Sequence, residues 1–192
     1  MKNKITFSKL IKEEICNETD FSDERRAALL SAYIRINGTL SFKNKQTIIN
    51  LKTDNSKIAK YIYSLLKSKF PKKSIHLEFQ KNNSGNTRYL IEISEDTEQI
   101  LDELNIDFFE GKISKDIAYN DETIAGYIAG AFLAAGSVNS PETSNYHLEV
   151  SVSNENYAKC LNLMKRTKDF ETITDFINSI ETQKHLEVKP AR

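Results

Sequence analysis

Residues 124–136 constrain the fold more than any other stretch, because they are apolar on nearly every side and rich in small side chains. A helix that is apolar all round is buried in a protein core rather than laid on its surface. Gly126 and Gly130 lie one turn apart on the same face of this predicted helix. Each glycine costs about 1 kcal/mol relative to Ala. We therefore interpret the pair as the place where a second backbone approaches closely, since an ordinary core helix would carry Leu and Ile there.

A second predicted helix, over residues 24–36, is the expected partner of the first. Ser22 or Asp23 can cap its beginning, and Asn37-Gly38 is a typical signal for its end. Its interior also carries small residues. The residues expected at the contact between the two helices are Ala28, Ser31, Ala32, Gly126, Ala129 and Gly130.

The composition restricts the class of protein. The 192 residues are 39% hydrophobic and 28% charged, with a formal net charge of zero and a pI of about 6.8. Nucleic-acid-binding domains usually carry a basic excess, so this balance argues against strong phosphate binding by the domain alone. No run is long enough to span a membrane, the N-terminus lacks the apolar core of a secretion signal, and the two cysteines have no metal-site spacing. Together these features predict a cytoplasmic protein without a membrane partner.

The order of predicted elements indicates an internal duplication. Helix, hairpin, helix, hairpin and helix follow one another in the first half, and the same series restarts in the second half. Gly38 corresponds to Gly136 and Asn55 to Asn154, at offsets of 98 and 99 positions (136 − 38 and 154 − 55). A nearly constant offset with the same order of elements favours two copies of one αββαββα unit over chance.

Domain boundaries follow from the duplication. Residues 1–106 contain an N-terminal helix over 5–16 and the first repeat, and residues 107–121 form a connector. The second repeat spans residues 122–180, and residues 181–192 form a tail.

The second repeat is predicted to lack one β-hairpin. About 25 residues that would correspond to the hairpin over 75–93 are absent between Arg166 and Thr167, before a predicted helix over 169–180. Either the natural chain contains a hairpin that the printed sequence omits, or the hairpin is deleted and a strand edge is left exposed. An intact mass of 22.0 kDa would rule out the first explanation.

Two small-residue helices that end in Gly, each opening an αββαββα unit, resemble the LAGLIDADG homing-endonuclease fold. The resemblance implies an α+β domain with pseudo-two-fold symmetry, in which two antiparallel sheets flank two central helices. It also implies that each helix delivers an acid, one residue before the final Gly, to a shared metal site. Those positions are Asn37 and Ala135. Phosphodiester hydrolysis on this scaffold needs carboxylates to hold divalent cations, so we expect no catalytic residues, no metal, no cofactor and no nuclease activity.

A closer resemblance is to the WhiA family. It is carried by residues 26–38 (RAALLSAYIRING), residues 130–141 (GAFLAAGSVNSP), residues 146–149 (YHLE) and the N-terminal residues 7–14 (FSKLIKEE). WhiA proteins are bacterial DNA-binding regulators of sporulation and cell division, with a degenerate homing-endonuclease domain followed by a helix-turn-helix domain. The tail over 181–192 is too short for such a domain. The resemblance therefore implies that double-stranded DNA is bound mainly by a missing C-terminal domain.

The strand pattern predicts which side chains could face DNA. Strict alternation places Leu40, Phe42, Ile75, Leu77, Phe79, Tyr89, Ile91, Leu148 and Val150 in the core. The candidate nucleic-acid contacts are Lys43, Lys45, Lys52, His76, Gln80, Lys81, Arg88 and His147. Glu78, Glu92 and Glu149 are predicted on the same face and would repel phosphate. The alternative is that these are ordinary solvated strand positions.

Three functions are compatible with the sequence. The favoured one is a non-catalytic, nucleoid-associated regulator of transcription and cell division or sporulation, whose scaffold makes limited DNA contact or holds a protein partner. The second is a protein-interaction module without DNA contact of its own. The third, an active endonuclease, is disfavoured by Asn37 and Ala135.

Overall fold

The chain folds into six helices and seven strands within the parts that are described. The computed structural model describes residues 6–43, 45–81, 85–110, 112–117, 119–139, 148–166 and 186–190. The elements, in chain order, are α1 (Phe7–Ile15), α2 (Asp23–Asn37), β1 (Thr39–Lys43), β2 (Gln46–Thr53), α3 (Ser56–Lys69), β3 (Ile75–Lys81), β4 (Thr87–Ile93), α4 (Thr97–Glu103), α5 (Asp121–Ala135), β5 (Gly136–Val138), β6 (Leu148–Val152), α6 (Glu155–Arg166) and β7 (Leu186–Pro190). None of the described helices has the length and apolarity to cross a bilayer.

The two central helices, α2 and α5, begin and end at equivalent positions. Both are 15 residues long, and α5 lies 98 positions after α2 at both ends (121 − 23 and 135 − 37). Ser22 caps α2 by accepting a hydrogen bond from the Arg25 N–H, and Asn120 caps α5 by accepting one from the Thr123 N–H. The duplication therefore extends to the helix caps.

The face of α5 that carries Gly126 and Gly130 touches the backbone of α2. A β-carbon at position 126 would lie 2.2 Å from the carbonyl oxygen of Arg25, and one at position 130 would lie 2.1 Å from that of Leu29. Such distances are far inside van der Waals contact, so only glycine fits at either position. Ala32 provides the nearest side-chain atom to Gly130, whereas Ala28 and Ser31 are buried without being among the closest atoms.

Reciprocal carboxylates join the N-terminal ends of the two central helices. Glu122, in the first turn of α5, accepts a hydrogen bond from Ser22 (3.1 Å) and lies 3.6 Å from the guanidinium of Arg25. Glu24, in the first turn of α2, accepts one from the Tyr119 hydroxyl (3.2 Å). Each acid also lies where it complements a helix dipole. The pseudo-two-fold symmetry therefore includes these side-chain contacts as well as the backbone.

The first sheet has four antiparallel strands in the order β1-β2-β4-β3. Its register pairs Leu51 with Ile91, and pairs Ile93 with both Ile49 and Ile75. All five side chains are buried in the core against α2 and α3. Alternation along the strands leaves the other face of this sheet largely polar.

Three apolar side chains that the alternation predicts in the core are exposed instead. Phe42 is 80% exposed, Phe79 68% and Leu77 37%. The prediction is wrong for them because β1 and β3 are the two edges of the sheet. Leu77 and Phe79 pair with Ile91 and Tyr89 and so lie on the helix-facing side, but the helices do not extend over these ends.

The second sheet departs from the predicted antiparallel arrangement. Strand β5 pairs antiparallel with β6, but β7 joins the other side of β6 in parallel, with Val150 opposite Val188. Strand β7 comes from the tail, which was not predicted to form structure. It lies beside β6 as β4 lies beside β2 in the first sheet. The β-hairpin predicted to be missing after Arg166 and the helix predicted over 169–180 both concern residues 167–185. These residues lie outside the described part of the chain.

Helix α1 contacts both repeats. The Ser8 hydroxyl donates a hydrogen bond to the Val138 carbonyl (2.9 Å) and accepts one from the Val138 N–H (2.8 Å), at the edge of β5. On another side of the helix, Glu13 pairs with Lys57 of α3 at 2.8 Å. Ile11 and Ile15 of the same helix are buried in the hydrophobic core. Because α1 bonds to both halves, it stabilises their packing.

Gly130→Ala is expected to destabilise the domain even though Ala favours helices by about 1 kcal/mol. The added β-carbon would overlap the Leu29 carbonyl, and overpacking costs about 1–3 kcal/mol. Gly130→Leu should cost more. Urea unfolding measures both changes, with Ser64→Ala on the exposed side of α3 as the control that reports helix propensity alone. A Gly130→Ala variant as stable as the parent would contradict the close backbone contact.

Candidate functional site at the ends of the central helices

The C-terminal ends of α2 and α5 carry the two positions at which the endonuclease resemblance places acids. Asn37 is the last residue of α2 and Ala135 the last of α5, and each is followed by a glycine that enters a strand. Gly38 and Gly136 have nearly equal backbone angles, with φ of −72° and −77°. The backbone geometry of the two ends is thus the same, whereas their side chains differ.

Asn37 uses its side chain to bind the main chain of β2. Its Nδ2 donates to the Lys52 carbonyl and its Oδ1 accepts from the Lys52 N–H, both at 2.9 Å. An amide side chain can pair with a peptide in this way because it carries one donor and one acceptor at the right spacing. A carboxylate could only accept. At this position the asparagine fastens α2 to the first sheet.

Ala135 adjoins a cavity of about 260 Å³. Its wall is formed by Arg35 of α2, Phe108 of the connector, Ala134 and Ala135 of α5, residues 151–154, and Tyr157 of α6. The cavity therefore lies where the two repeats and the connector meet. Its lining offers hydroxyl and amide groups from Ser151, Ser153 and Asn154 and no carboxylate.

Arg35 holds three parts of the chain together at this end. Its guanidinium donates to the main-chain carbonyls of Asp107 and Glu110 and lies 4.5 Å from the ring centroid of Tyr157. The N–H groups of Glu110 and Phe109 donate to the Asp107 carboxylate and hold the pKa of that group below its usual range. The connector turn over 107–110 is therefore fixed in place.

Tyr157, which lines the cavity, belongs to a buried tyrosine pair. The hydroxyl oxygens of Tyr127 on α5 and Tyr157 on α6 lie 2.7 Å apart, and the rings meet edge to face. Burial raises the pKa of Tyr127 to about 12 and raises that of Tyr157 as well. Both hydroxyls are neutral at physiological pH and satisfy each other, so they serve as structural groups.

The candidate nucleic-acid residues lie on or near the first sheet, but not all on one face. Lys43, Lys52, His76, Gln80 and Arg88 share its polar face by alternation and are exposed. The others lie elsewhere: Lys45 is in the β1–β2 turn with φ of 64°, Lys81 points to the opposite face at the end of β3, and His147 is outside the described residues.

Local contacts reduce the positive charge of that polar face. Arg88 pairs with Asp54 at 3.0 Å, and His76 shares a hydrogen bond with Ser74 at 3.0 Å. Glu92 pairs in register with His76, and Glu78 lies in the same row of β3. Lys43 and Lys52 have no ion pair within the described residues. They are therefore the strongest candidates for phosphate contact.

Among the described residues, no three His, Cys, Asp or Glu side chains are grouped so that they could hold a metal ion. At the helix ends in particular, Asn37 commits both of its polar atoms to Lys52, and Ala135 has no ligand atom. The residues present do not fit the divalent-metal site of the endonuclease fold.

Comparison with known proteins identifies the family. Residues 23–107 match the family model described as the WhiA N-terminal LAGLIDADG-like domain, and residues 124–167 match the WhiA LAGLIDADG-like domain. The chain belongs to the WhiA family. The two WhiA matches divide at the connector; the first contains all of α2 and the second contains α5 from residue 124 onward.

Relatives of known name support the WhiA assignment. The chain is 38% identical over 168 residues to "Probable cell division protein WhiA" of Latilactobacillus sakei subsp. sakei (strain 23K), covering 84% of this chain and 53% of that protein. It is 37% identical over 190 residues to the protein of that name from Staphylococcus aureus (strain JH9), covering 96% and 56%. The chain thus spans a little over half the length of these WhiA relatives.

A solved structure agrees with the WhiA fold. The crystal structure of the N-terminal LAGLIDADG domain of DUF199/WhiA superposes with a TM-score of 0.65 at 20% sequence identity, covering 95% of this chain and 93% of that one. At this identity the similarity concerns the fold. The predicted α+β LAGLIDADG-like architecture is confirmed, with the parallel strand β7 as the exception described above.

Sequence reasoning missed Arg35 and the cavity in this WhiA domain. Arg35 stands two residues before Asn37 in a motif whose final positions drew attention to acids alone. Its role depends on the carbonyls of residues 107 and 110, more than 70 positions away. No local pattern could reveal that contact. The one available signal was an arginine in the last turn of a helix, directly after the buried residues 28–34.

Asn37→Ala should lower the free energy of unfolding by about 1–2 kcal/mol, because two hydrogen bonds to the Lys52 main chain are lost at a partly exposed site. Asn37→Asp should cost more at neutral pH, since the introduced carboxylate faces the Lys52 carbonyl without a proton to donate. Its deficit should shrink on acidification toward about pH 4, where the carboxyl is protonated and can donate.

Urea unfolding at several pH values measures these differences. Ser41→Ala, which removes an exposed side-chain contact with Asn50, is the matched control and should change stability by less than about 0.5 kcal/mol. Asn37→Asp being as stable as the parent at neutral pH would contradict the proposed two-bond contact.

Proposed function

We propose that this chain is the nuclease-inactive LAGLIDADG part of a DNA-binding regulator of transcription and cell division or sporulation. The observation that carries the proposal is that neither central helix ends in a carboxylate side chain. One end bonds to the scaffold through Asn37, and the other carries Ala135 beside a cavity. The family name of the relatives, cell division protein WhiA, supports the cellular role.

Loss of catalysis follows from the chemistry of metal-assisted hydrolysis. Divalent cations positioned between attacking and leaving oxygens require hard anionic ligands. Asn37 and Ala135 supply none. Arg35, in the last turn of α2, donates to the connector carbonyls and cannot substitute for a metal ligand. We therefore expect the scaffold to bind without cutting.

The proposed DNA contact of this domain is weak. Lys43 and Lys52 supply positive charge on the polar face of the first sheet, while Arg88 is engaged by Asp54. Affinity for duplex DNA scales with the number of phosphates neutralised, and two free lysines support only a few contacts. We place the main DNA contact in a helix-turn-helix domain within the remaining length of the relatives, in a cytoplasmic, nucleoid-associated protein.

A protein-interaction role is the second candidate, and exposed aromatic side chains favour it. Phe109 is 88% exposed at the tip of the turn that Arg35 and Asp107 hold in place. Phe42 is exposed at one end of the first sheet. Rigidly presented aromatic side chains are frequent energetic centres of protein interfaces.

DNA binding can be tested by measuring the affinity of this chain for a short duplex over a series of salt concentrations. The proposal predicts binding at low salt that weakens with a slope of about −0.9 for each phosphate contacted. Replacing Lys43 and Lys52 together by Ala should reduce the slope by roughly 2. The control Lys60→Ala, on the exposed side of α3 behind the sheet, should leave it unchanged. An absence of binding at low salt would favour the protein-interaction role.

Plasmid incubation with Mg²⁺ or Mn²⁺ tests the loss of nuclease activity. We expect intact supercoiled DNA at all metal concentrations, because the ligand set is missing from both helix ends. Metal-dependent nicking that disappears in a Gly130→Leu variant would refute the inactive assignment.

A further inference from the structure

Strand β3 has an uncovered edge. It pairs with β4 on one side, and no other described strand pairs with its second side. At the opposite edge of the sheet, the start of β1 lies against the connector, where a β-carbon at Gly38 would be 3.1 Å from the Phe108 ring. In the second sheet, Ser8 bonds to the edge of β5. With seven residues, β3 is the longest edge strand in the described parts of the chain.

Alternate residues of β3 direct their main-chain groups away from the sheet. The Ser74 carbonyl accepts a hydrogen bond from the Ser94 N–H, and the two residues stand opposite each other in the register of β3 with β4. In an antiparallel pair, residues that exchange hydrogen bonds alternate with residues that do not. Ile75, Leu77 and Phe79 therefore direct their N–H and carbonyl groups outward, where another strand can pair with them.

The side chains along this edge are apolar on one face and of opposite charge character on the other. Leu77 and Phe79 are exposed on the helix-facing side. His76 and Glu78 are exposed on the polar side. The His76 Nε2 lies 3.0 Å from the Ser74 hydroxyl, so the other ring nitrogen is available to donate to a carboxylate.

We propose that β3 pairs with β3 of a second copy of this chain, antiparallel across a two-fold axis at Leu77. The axis places Leu77 opposite Leu77, Ile75 opposite Phe79, and His76 opposite Glu78 of the other copy. The outward-directed main-chain groups of residues 75, 77 and 79 then all find partners. The exposed apolar side chains of the edge cover one another, and each histidine meets a carboxylate.

Charge favours an axis at Leu77 over one at Glu78. Both positions keep every side chain on its own face of the joined sheet. An axis at Glu78 would set the two Glu78 carboxylates directly opposite each other, and like charges in that position are destabilising. The axis at Leu77 instead gives two contacts of His76 with Glu78, and it places Gln80 opposite Ser74.

The remaining like charges lie beyond the paired strand. Lys81 would stand opposite Lys73, which precedes β3. The Lys73 ammonium is already bound to the Asp96 carboxylate at 2.6 Å and to the Gln99 side chain. The Lys73 charge is therefore partly neutralised within its own copy, and the exposed Lys81 can extend into solvent.

The pairing would join two four-stranded sheets into one continuous sheet. A two-fold axis perpendicular to the sheet keeps the polar faces of both copies on the same side. Because each copy contributes a single strand, the interface belongs to the small, transient class. The inference does not rest on the proposed DNA contact.

Sedimentation equilibrium of the chain, over a range from about 5 to 500 µM, measures the association. We expect the weight-average mass to rise from that of the monomer, 22.0 kDa, toward twice that value. A mass that stays at the monomer value throughout the range would overturn the proposal.

Glu78→Lys tests the charge contact. It replaces both contacts of His76 with a carboxylate by contacts with an ammonium group, and should raise the dissociation constant of the dimer about tenfold. The matched control Glu14→Lys makes the same change of net charge at an exposed position of α1 and should leave the constant unchanged. Phe42→Lys, on the edge strand β1, should also leave it unchanged. Loss of the dimer in Phe42→Lys but not in Glu78→Lys would place the contact at β1 and contradict the proposal.

Cysteine substitutions test the register without relying on affinity. Oxidation of Leu77→Cys should give a covalent dimer, because opposite hydrogen-bonded residues have Cα atoms about 5.5 Å apart, within the range of a disulfide. Glu78→Cys should not, since the two 78 positions would be diagonal neighbours about 7–8 Å apart. Peptide mapping separates a link between the introduced residues from links through Cys16 or Cys160. A covalent dimer from Glu78→Cys and none from Leu77→Cys would overturn the proposed pairing.

Discussion

The carbonyl oxygens of Arg25 and Leu29 lie where β-carbons at positions 126 and 130 would otherwise be, and the whole domain depends on this contact. Two backbones at such close range fix the crossing of α2 and α5. The caps, the reciprocal carboxylates and the starts of β1 and β5 then occupy equivalent places in the two repeats. Glycine is therefore required at positions 126 and 130 for steric reasons, whatever side chains stand at the helix ends.

The two helix ends show different outcomes at equivalent backbone positions. Asn37 keeps a polar side chain but turns it to the main chain of β2, where it strengthens the first repeat. Ala135 carries only a methyl group and adjoins a cavity bounded by Arg35 and Tyr157. The close backbone contact between the helices lies at Gly126 and Gly130, before the helix ends, so the scaffold can accommodate either side chain.

Periodicity and small-residue spacing were sufficient to predict the central helices, the duplication and the four strands of the first sheet. They did not predict burial correctly where it depends on whether a helix packs over the strand. Phe42 and Phe79, on the edge strands of the sheet, are exposed for this reason. They also failed for long-range contacts: Arg35 with the connector, and Leu186–Pro190 with β6. Such contacts depend on which segments meet in space, and local pattern carries no information about that. Of the predicted surface residues, Lys43 and Lys52 retain their place as candidates because no neighbouring acid pairs with them in the described region.

Ser8 gives the N-terminal helix a significance beyond packing. Its single hydroxyl supplies both the donor and the acceptor that a neighbouring strand would offer to Val138. Strand β5 is at the edge of the described second sheet, and unpaired strand edges recruit other chains. The helix thus covers part of an edge at which a strand of another copy could otherwise pair. Removal of helix α1 would therefore expose the N–H and the carbonyl of Val138 to pairing with another strand.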